Sequence, residues 1–263
     1  MIPRILNAYL VECLKAMRAK STYLGPVLAV LLSMLAPLIH PITDDSGSAY
    51  AFIAFTTPMV LNLLGLLLVL TFCAGLVSSE MGSGTIRLVL VRPLLRHEFL
   101  LAKLLLGMTY AALLTLLVGV STWTVAAIQG RLAGVVFGGE MLHTSSEMLK
   151  AYVLGALLGL APQFAAAAFA VMVSTLARST GAAVGAAVGV WIVCDTLKYP
   201  LRIAPFLFST YMESPWQVFT TYCEGLESSW TPSLYYCLAS SLGAIVVFTA
   251  VAVVSFNRRN IQA

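Results

Sequence analysis

The 263-residue sequence contains little charge: Asp, Glu, Lys and Arg make up 10% of the chain, whereas hydrophobic residues make up 60%. A soluble domain typically has about 25% charged and about 45–50% apolar residues. So few charged side chains cannot cover a water-soluble fold of this length, and a disordered chain this apolar would aggregate. The composition therefore predicts an integral membrane protein whose main solvent is lipid.

The sequence also lacks the signatures of catalytic and metal sites. It contains no HExxH, no GxSxG and no pair of acidic residues inside an apolar stretch. Its nearest glycine cluster, Gly82-Ser83-Gly84-Thr85, lacks the lysine of a nucleotide-binding loop. We therefore expect no catalytic residue, no metal site, no bound cofactor and no ATP hydrolysis in this chain.

The five cysteines show no paired spacing such as CxxC. Cys73 and Cys194 lie inside apolar stretches, and we interpret the cysteines as small hydrophobic residues rather than as redox or metal ligands. Cys223 and Cys237 are both expected on the outer side of the membrane. A disulfide between those two is left open.

Six apolar stretches are long enough to cross a bilayer as helices, which takes about 20 residues each. They cover residues of about 22–42, 52–78, 100–129, 148–177, 180–198 and 232–256. The first stretch ends without a signal-cleavage pattern, so we expect it to be retained as an anchor. The predicted fold is an all-α, polytopic membrane protein with six transmembrane helices.

The distribution of charge predicts the orientation of these spans. Eleven of the 15 basic residues, but only three of the 11 acidic ones, fall on the side that carries both termini. Because short loops rich in Lys and Arg stay in the cytoplasm, we expect both termini there, in a bacterial inner membrane. The excess of positive charge, +4 in total, lies on this side and is explained by the orientation of the spans. We therefore expect no nucleic-acid partner.

Two segments outside the spans are amphipathic or aromatic. Residues 1–21 place apolar residues at helical spacing from Ile2 to Met17, which predicts an amphipathic helix on the cytoplasmic membrane surface. This helix either only anchors the amino terminus or also contacts a partner. Residues 199–231 are rich in Tyr and Trp, which favours a position at the outer lipid–water boundary or a lid over an exit. The polar residues of the first segment are Arg4, Asn7, Glu12, Lys15 and Arg18.

Small residues indicate where helices approach closely, because packing in lipid depends on short side chains. The fifth span carries Gly181, Gly185 and Gly189, and the fourth carries Gly155 and Gly159. These rows indicate contacts within one chain or between two chains, and both alternatives stay open.

Residues 80–99 connect the second and third spans and are long and mixed in character. Helix connections in bundles usually take about 2–8 polar residues. Here apolar side chains alternate with basic ones, while Gly82, Gly84 and Pro93 mark turns. The pattern predicts a short helix across the cytoplasmic surface, which either rests on lipid or is a docking element for a soluble partner.

The same stretch resembles the signature of type-2 ABC transporter permeases. The matching residues are Glu80, Gly84, Thr85, Ile86, Pro93, Arg96 and Lys103. The resemblance implies a six-span half-transporter that pairs with a second permease subunit, identical or different. It also implies separate cytoplasmic ATPase subunits that carry ATP and Mg²⁺.

By this resemblance, residues 80–96 form the coupling segment that rests on the ATPase. Glu80 begins it, Gly82 falls within it, Thr85 and Arg87 lie on its helix, and Arg96 and Lys103 mark the return to the membrane. The implied activity is ATP-driven export, and the sparse charge of the spans favours a hydrophobic or amphipathic cargo. Two alternatives stay open. One is a membrane scaffold or assembly factor that uses the same ATPase; the other is an intramembrane enzyme built on Asp195, Lys198 and the loop 139–147.

Overall fold

The computed structural model describes residues 2–42, 48–84, 95–132, 134–137, 140–226 and 228–258. Six of its helical stretches are long and apolar enough to cross a membrane. The chain is therefore a multi-pass, predominantly helical membrane protein, as its composition predicts. The six stretches are Lys20–Leu38, Ala49–Gly82, Arg96–Gln129, Ser145–Leu176, Thr180–Leu197 and Leu234–Arg258.

The described α-helices number nine, and short helices of other types separate some of them. A π-helical segment, Val60–Gly65, joins α3 to α4, so the second span consists of three consecutive pieces. Three 3₁₀ turns lie at Ala36–Leu38, Ala204–Phe206 and Phe208–Tyr211. The α-helices are α1 (Ile2–Arg18), α2 (Lys20–Leu35), α3 (Ser48–Met59), α4 (Leu66–Gly82), α5 (Arg96–Gln129), α6 (Ser145–Leu176), α7 (Thr180–Leu197), α8 (Ser214–Cys223) and α9 (Thr231–Arg258).

The spans begin and end at backbone caps rather than at the limits of the apolar stretches. The second and third spans are 34 residues long, whereas about 20 residues cross the hydrocarbon core. The third span begins early because the Glu98 carboxylate accepts a hydrogen bond from the Leu95 amide at 3.1 Å. The second span continues to Gly82, four residues beyond the predicted end, and Gly84 then turns the chain with φ +70°.

Helix α6 lies at the centre of the bundle. It contacts α4, α5, α7, α8 and α9, and 67% of its apolar window is buried. Its alanine run, Ala165 to Ala168, is almost completely buried, because short side chains let neighbouring helices approach closely. Only 11% of the corresponding window of α7 and 17% of that of α9 are buried, so these two helices lie at the periphery.

Polar side chains inside the bundle bind backbone carbonyls that helix irregularities make available. Gln163 donates from Nε2 to the carbonyl of Leu61 in the π-helical segment at 3.1 Å. Asn62 donates to the carbonyl of Met212 at 3.4 Å. Pro162 has no amide proton for the carbonyl of Leu158, which instead accepts the thiol of Cys237 at 3.7 Å.

The predicted disulfide alternative is wrong, because Cys223 and Cys237 are both free. The thiol of Cys223 donates to the carbonyl of Tyr50 at 3.6 Å, whereas Cys237 binds the carbonyl of Leu158 on α6. Burial raises the pKa of the Cys223 thiol to about 12. This thiol is therefore protonated and unreactive at neutral pH.

A β-hairpin interrupts the helices between the third and fourth spans. Strand β1 (Gly134–Phe137) pairs antiparallel with β2 (Glu140–Thr144). Gly134 has φ +120°, and a Cβ at this position would lie 2.7 Å from the carbonyl oxygen of His143. The all-α prediction missed these strands because four or five residues are too short for a clear alternating pattern.

The two predicted glycine rows have different surroundings. A Cβ at Gly155 or Gly159 would lie 3.5 Å from atoms of Pro215 or Trp216, so this row is a packing surface for α8. A Cβ at Gly181, Gly185 or Gly189 would meet nothing within 4 Å in the described part of the chain. Among the described residues the α7 row therefore makes no contact within the chain, and α7 buries Ala183 and Ala187 instead.

Gly107 is a packing glycine that the spacing rules missed, and substituting it provides a test of the bundle core. A Cβ there would lie 2.6 Å from Sγ of Cys73 and 3.6 Å from Cβ of Ala167, where α4, α5 and α6 meet. Because overpacking costs about 1–3 kcal/mol, Gly107→Val should lower the thermal unfolding midpoint in detergent. Gly243→Val is the matched control, since nothing lies within 4 Å of its Cβ position. Equal midpoints for the two variants would contradict the close approach.

Candidate functional site

One end of the bundle carries Arg96, Lys103, Arg178 and Arg258, and we call it the basic end. The start of the third span and the end of the last span meet there. Arg96 donates from Nη1 to the carbonyls of Phe256 and Asn257, each at 3.2 Å. Arg96 therefore satisfies backbone carbonyls that the end of α9 leaves without intrahelical partners.

Four ionised side chains from three helices form a charge cluster at the basic end. It consists of Glu12 and Lys15 of α1, Glu80 of α4 and Lys103 of α5. The ammonium of Lys103 binds Oε2 of Glu12 at 2.6 Å and Oε1 of Glu80 at 2.8 Å. The ammonium of Lys15 binds Oε1 of Glu12 at 2.6 Å and Oε1 of Glu80 at 3.2 Å. Each lysine thus bridges both carboxylates.

Burial makes these contacts strong. The side chain of Lys103 is 3% exposed and that of Glu12 is 7% exposed, whereas Lys15 at the outer edge is 47% exposed. A charge removed from water is stable only when it is paired and hydrogen-bonded. The cluster meets this condition because its two positive and two negative charges cancel.

Helix α1 has three distinct faces, and Glu12 lies on the one that packs against the bundle. The apolar face consists of exposed hydrophobic residues, and the polar face includes Arg4, Lys15 and Arg18. On the packing face, Tyr9 shares a hydrogen bond of 2.8 Å with Thr109 of α5. The sequence pattern grouped Glu12 with the polar face, which is wrong, because Lys103 of α5 draws it inward. The exposed apolar residues are Leu6, Leu10, Leu14 and Met17.

The lysines determine the ionisation of Glu12. Burial alone would raise the pKa of this carboxyl, but Lys103 and Lys15 outweigh that effect and hold the pKa below its ordinary value. Burial likewise opposes the charge of Lys15, but Glu12 and Glu80 raise its pKa. Both side chains are therefore ionised at neutral pH.

The connection that follows Glu80 begins with the predicted turn. Helix α4 ends at Gly82, where a Cβ would meet no described atom within 4 Å, and Gly84 adopts the positive φ of a helix C-terminus. The predicted surface helix itself lies outside the described residues. The predicted site residues in that part of the chain are Thr85, Ile86, Arg87 and Pro93.

The structure brings together two predicted site residues, Glu80 and Lys103, from the two ends of the motif. It adds Glu12 and Lys15 as their partners. Glu80 and Lys103 are 23 positions apart and share one ion pair. Glu12 and Lys15 were not predicted as site residues. The available signal was that Glu12 is the sole acidic residue among the first 20 residues, on an otherwise basic helix.

Two of the acidic residues considered for an enzyme, Asp195 and Glu147, have structural partners in the described chain. Asp195 accepts a hydrogen bond from Lys198 at 2.6 Å, one helical turn away. Glu147 accepts one from the amide of Thr144 at 2.8 Å and caps the start of α6.

The charge cluster connects α1, α4 and α5 at the basic end. Glu80 lies at the last turn of α4, and Lys103 lies in the third turn of α5. The two ion pairs of Lys103 therefore join the end of α4 and the start of α5 to α1. Arg96 extends this linkage to α9.

Comparison with known proteins identifies one family. A family described as protein of unknown function, DUF2705, matches residues 26–262. The matched range includes Glu80 and Lys103 but not the two cluster residues of α1. No curated protein matches the chain.

Removing Lys103 tests whether the cluster stabilises the fold. In Lys103→Ala the buried Glu12 and the partly buried Glu80 lose their buried cation and keep the half-exposed Lys15. Breaking a buried pair costs about 3–5 kcal/mol, and Lys15 reduces that cost. We expect a clear fall of the thermal unfolding midpoint in detergent. Lys150→Ala, at an exposed lysine of α6, is the control and should leave the midpoint unchanged. A Lys103→Ala midpoint equal to that of the control would show that the cluster adds no stability.

The lowered pKa of Glu12 predicts a pH dependence with a defined sign. A carboxyl with a depressed pKa contributes stability above its unfolded-state pKa and loses it as the pH falls through the folded value. The stability advantage of the native chain over Glu12→Gln should therefore be constant near neutral pH and shrink below about pH 4. Unfolding midpoints of both proteins across this range provide the measurement. An advantage that grows on acidification would contradict the pairing.

Proposed function

The chain belongs to the DUF2705 family, and we propose that it is the membrane subunit of an ATP-driven ABC transporter. In this proposal its six spans form half of a transmembrane domain, and a second permease subunit, identical or different, supplies the other half. Separate ATPase subunits bind ATP and Mg²⁺. The observation that carries the proposal is the contact between Glu80 and Lys103 at 2.8 Å, since both belong to the motif that resembles type-2 permeases.

This contact supports the proposal on mechanical grounds. A domain that moves during ATP hydrolysis displaces the spans only through a connection that is stiff and firmly attached to them. Glu80 and Lys103 fasten the two ends of the connection to each other and to Glu12. The residue at the end of α4, Gly82, is exposed among the described residues, and in this proposal it faces the partner.

The proposed orientation places the basic end in the cytoplasm, where soluble ATPases are. The excess of Lys and Arg at that end supports this orientation. Both termini are then cytoplasmic, and the membrane is a bacterial inner membrane. The amphipathic helix α1 lies beside the coupling segment and is a second surface for the partner.

The proposed cargo is hydrophobic or amphipathic. Lys103, Asp195 and Lys198 are occupied by ion pairs, which leaves them poorly suited to bind a small ion as cargo. The direction of transport, export, is proposed from the family resemblance alone.

Purification from native membranes tests this function. A tagged chain should retain a nucleotide-binding ATPase, identified by mass spectrometry through its own phosphate-binding motif, and the complex should hydrolyse ATP. Gly82→Arg should reduce the retained ATPase at least about tenfold, because its Cβ meets no described residue within 4 Å, whereas the new side chain occupies the proposed docking surface.

Ser146→Arg is the matched control, since it adds the same side chain at an exposed position at the opposite end of the bundle. It should retain the ATPase at the level of the native chain. Absence of any ATP-hydrolysing partner from the native complex would contradict the proposed function. Equal retention by both variants would contradict docking at the end of α4.

A further inference from the structure

A cavity of about 510 Å³ opens beside the charge cluster. Its walls come from α1, α2, α4, α5 and the first residue of α7. The volume falls within the range of small-molecule sites, about 300–1,000 Å³. None of the elements described above fills this space.

The wall of the cavity is divided into a polar and an apolar part. Charged and hydroxyl groups form the part next to the cluster, and aliphatic and aromatic side chains form the other. The polar part includes Glu12, Lys15, Ser21, Thr22, Glu80 and Lys103. The apolar part includes Leu24, Leu68, Phe72, Leu76 and Leu106.

We propose that this cavity binds one anionic phospholipid of the adjacent leaflet. Its phosphate contacts Lys15 and the neighbouring hydroxyls, and the start of an acyl chain lies along Leu24, Leu68 and Phe72. A molecule with a charged head and an apolar tail matches both parts of the wall. A free anion would leave the apolar part exposed to water, and an apolar molecule would leave the polar part desolvated.

The charges beside the cavity favour a phosphate. Both lysines pair with Glu12 and Glu80, but the ammonium of Lys15 is half-exposed at the outer edge, and its third N–H can donate to a phosphate. Arg18 and Lys20 are exposed and flank the lining residue Ala19 in sequence. Basic pockets between transmembrane helices near the membrane surface bind anionic headgroups in this way.

The position of α1 places the cavity at the depth of lipid headgroups. Leu6, Leu10 and Leu14 form an exposed apolar stripe on the helix whose other face carries Arg4 and Lys15. A helix with these two faces lies in the interface between headgroups and acyl chains. A lipid therefore reaches the cavity by lateral movement within one leaflet.

A substitution at Gly75 of α4 can fill this cavity without changing the charge cluster. It lines the cavity, and the nearest atom to its Cβ position is Cγ2 of Thr180 at 3.8 Å. A larger side chain at this position therefore projects into the empty space without displacing the wall.

Native mass spectrometry of the detergent-purified chain with added palmitoyl-oleoyl-phosphatidylglycerol tests the proposal. The native chain should retain one lipid after mild activation. Gly75→Leu should retain at least about tenfold less, and Lys15→Gln, which keeps the cavity open, should retain several-fold less. Gly243→Leu, at a glycine with nothing within 4 Å, is the control and should retain lipid normally.

Two results would overturn the proposal. One is equal lipid retention by Gly75→Leu and Gly243→Leu at equal unfolding midpoints, which would show that the bound lipid lies elsewhere on the surface. The other is displacement of the lipid by glycerol 1-phosphate as effectively as by dihexanoyl-phosphatidylglycerol, which would show that the apolar part is not used. The inference does not depend on the proposed function, since neither result involves an ATPase.

Discussion

The pairing of the buried Lys103 ammonium with two carboxylates is the constraint on which the basic end of this protein depends. A lone ammonium at that depth would be strongly destabilising, so its partners must approach from elsewhere. Glu80 approaches from the end of the second span, and Glu12 approaches from the helix that precedes the first span. The same requirement therefore fixes the position of α1, the relative position of α4 and α5, and one wall of the adjoining cavity.

The remainder of the bundle follows from the central position of α6. Its alanines and glycines allow close approach on several sides, and its proline releases a carbonyl that a neighbouring helix uses. Interior amide side chains donate hydrogen bonds to backbone carbonyls where a helix is irregular, as Gln163 does in the π-helical segment. The interior is thus held by shape and by hydrogen bonds between uncharged groups, such as those of Ser174 with α4 and of Thr57 with Tyr152. Among the described residues, the cluster of four charges lies at the basic end. This separation agrees with the proposed function, in which the basic end is coupled to the ATPase and the sparsely charged spans surround the path of the cargo.

Hydropathy predicted all six spans because crossing a bilayer requires about 20 apolar residues whatever the tertiary fold. It did not predict where the helices end, because caps such as Glu98 and the positive φ of Gly84 set those limits. Glycine spacing identified the packing surface at Gly155 and Gly159. It did not reveal that the α7 row has no partner among the described residues or that Gly107 has one, because small residues permit close approach without indicating which side another helix occupies.

The sequence by itself determined that this is a membrane protein and predicted which basic residues share one side of the membrane. It also placed Glu80 and Lys103 in a stretch that resembles a family motif. Only the tertiary structure decided that these two residues meet and that Glu12 and Lys15 join them. The physical reason is that hydropathy and charge are properties of local stretches, whereas an ion pair depends on helices that are distant in the chain. The helical pattern placed Glu12 on a polar face, and a lysine 91 positions later turned it into the core.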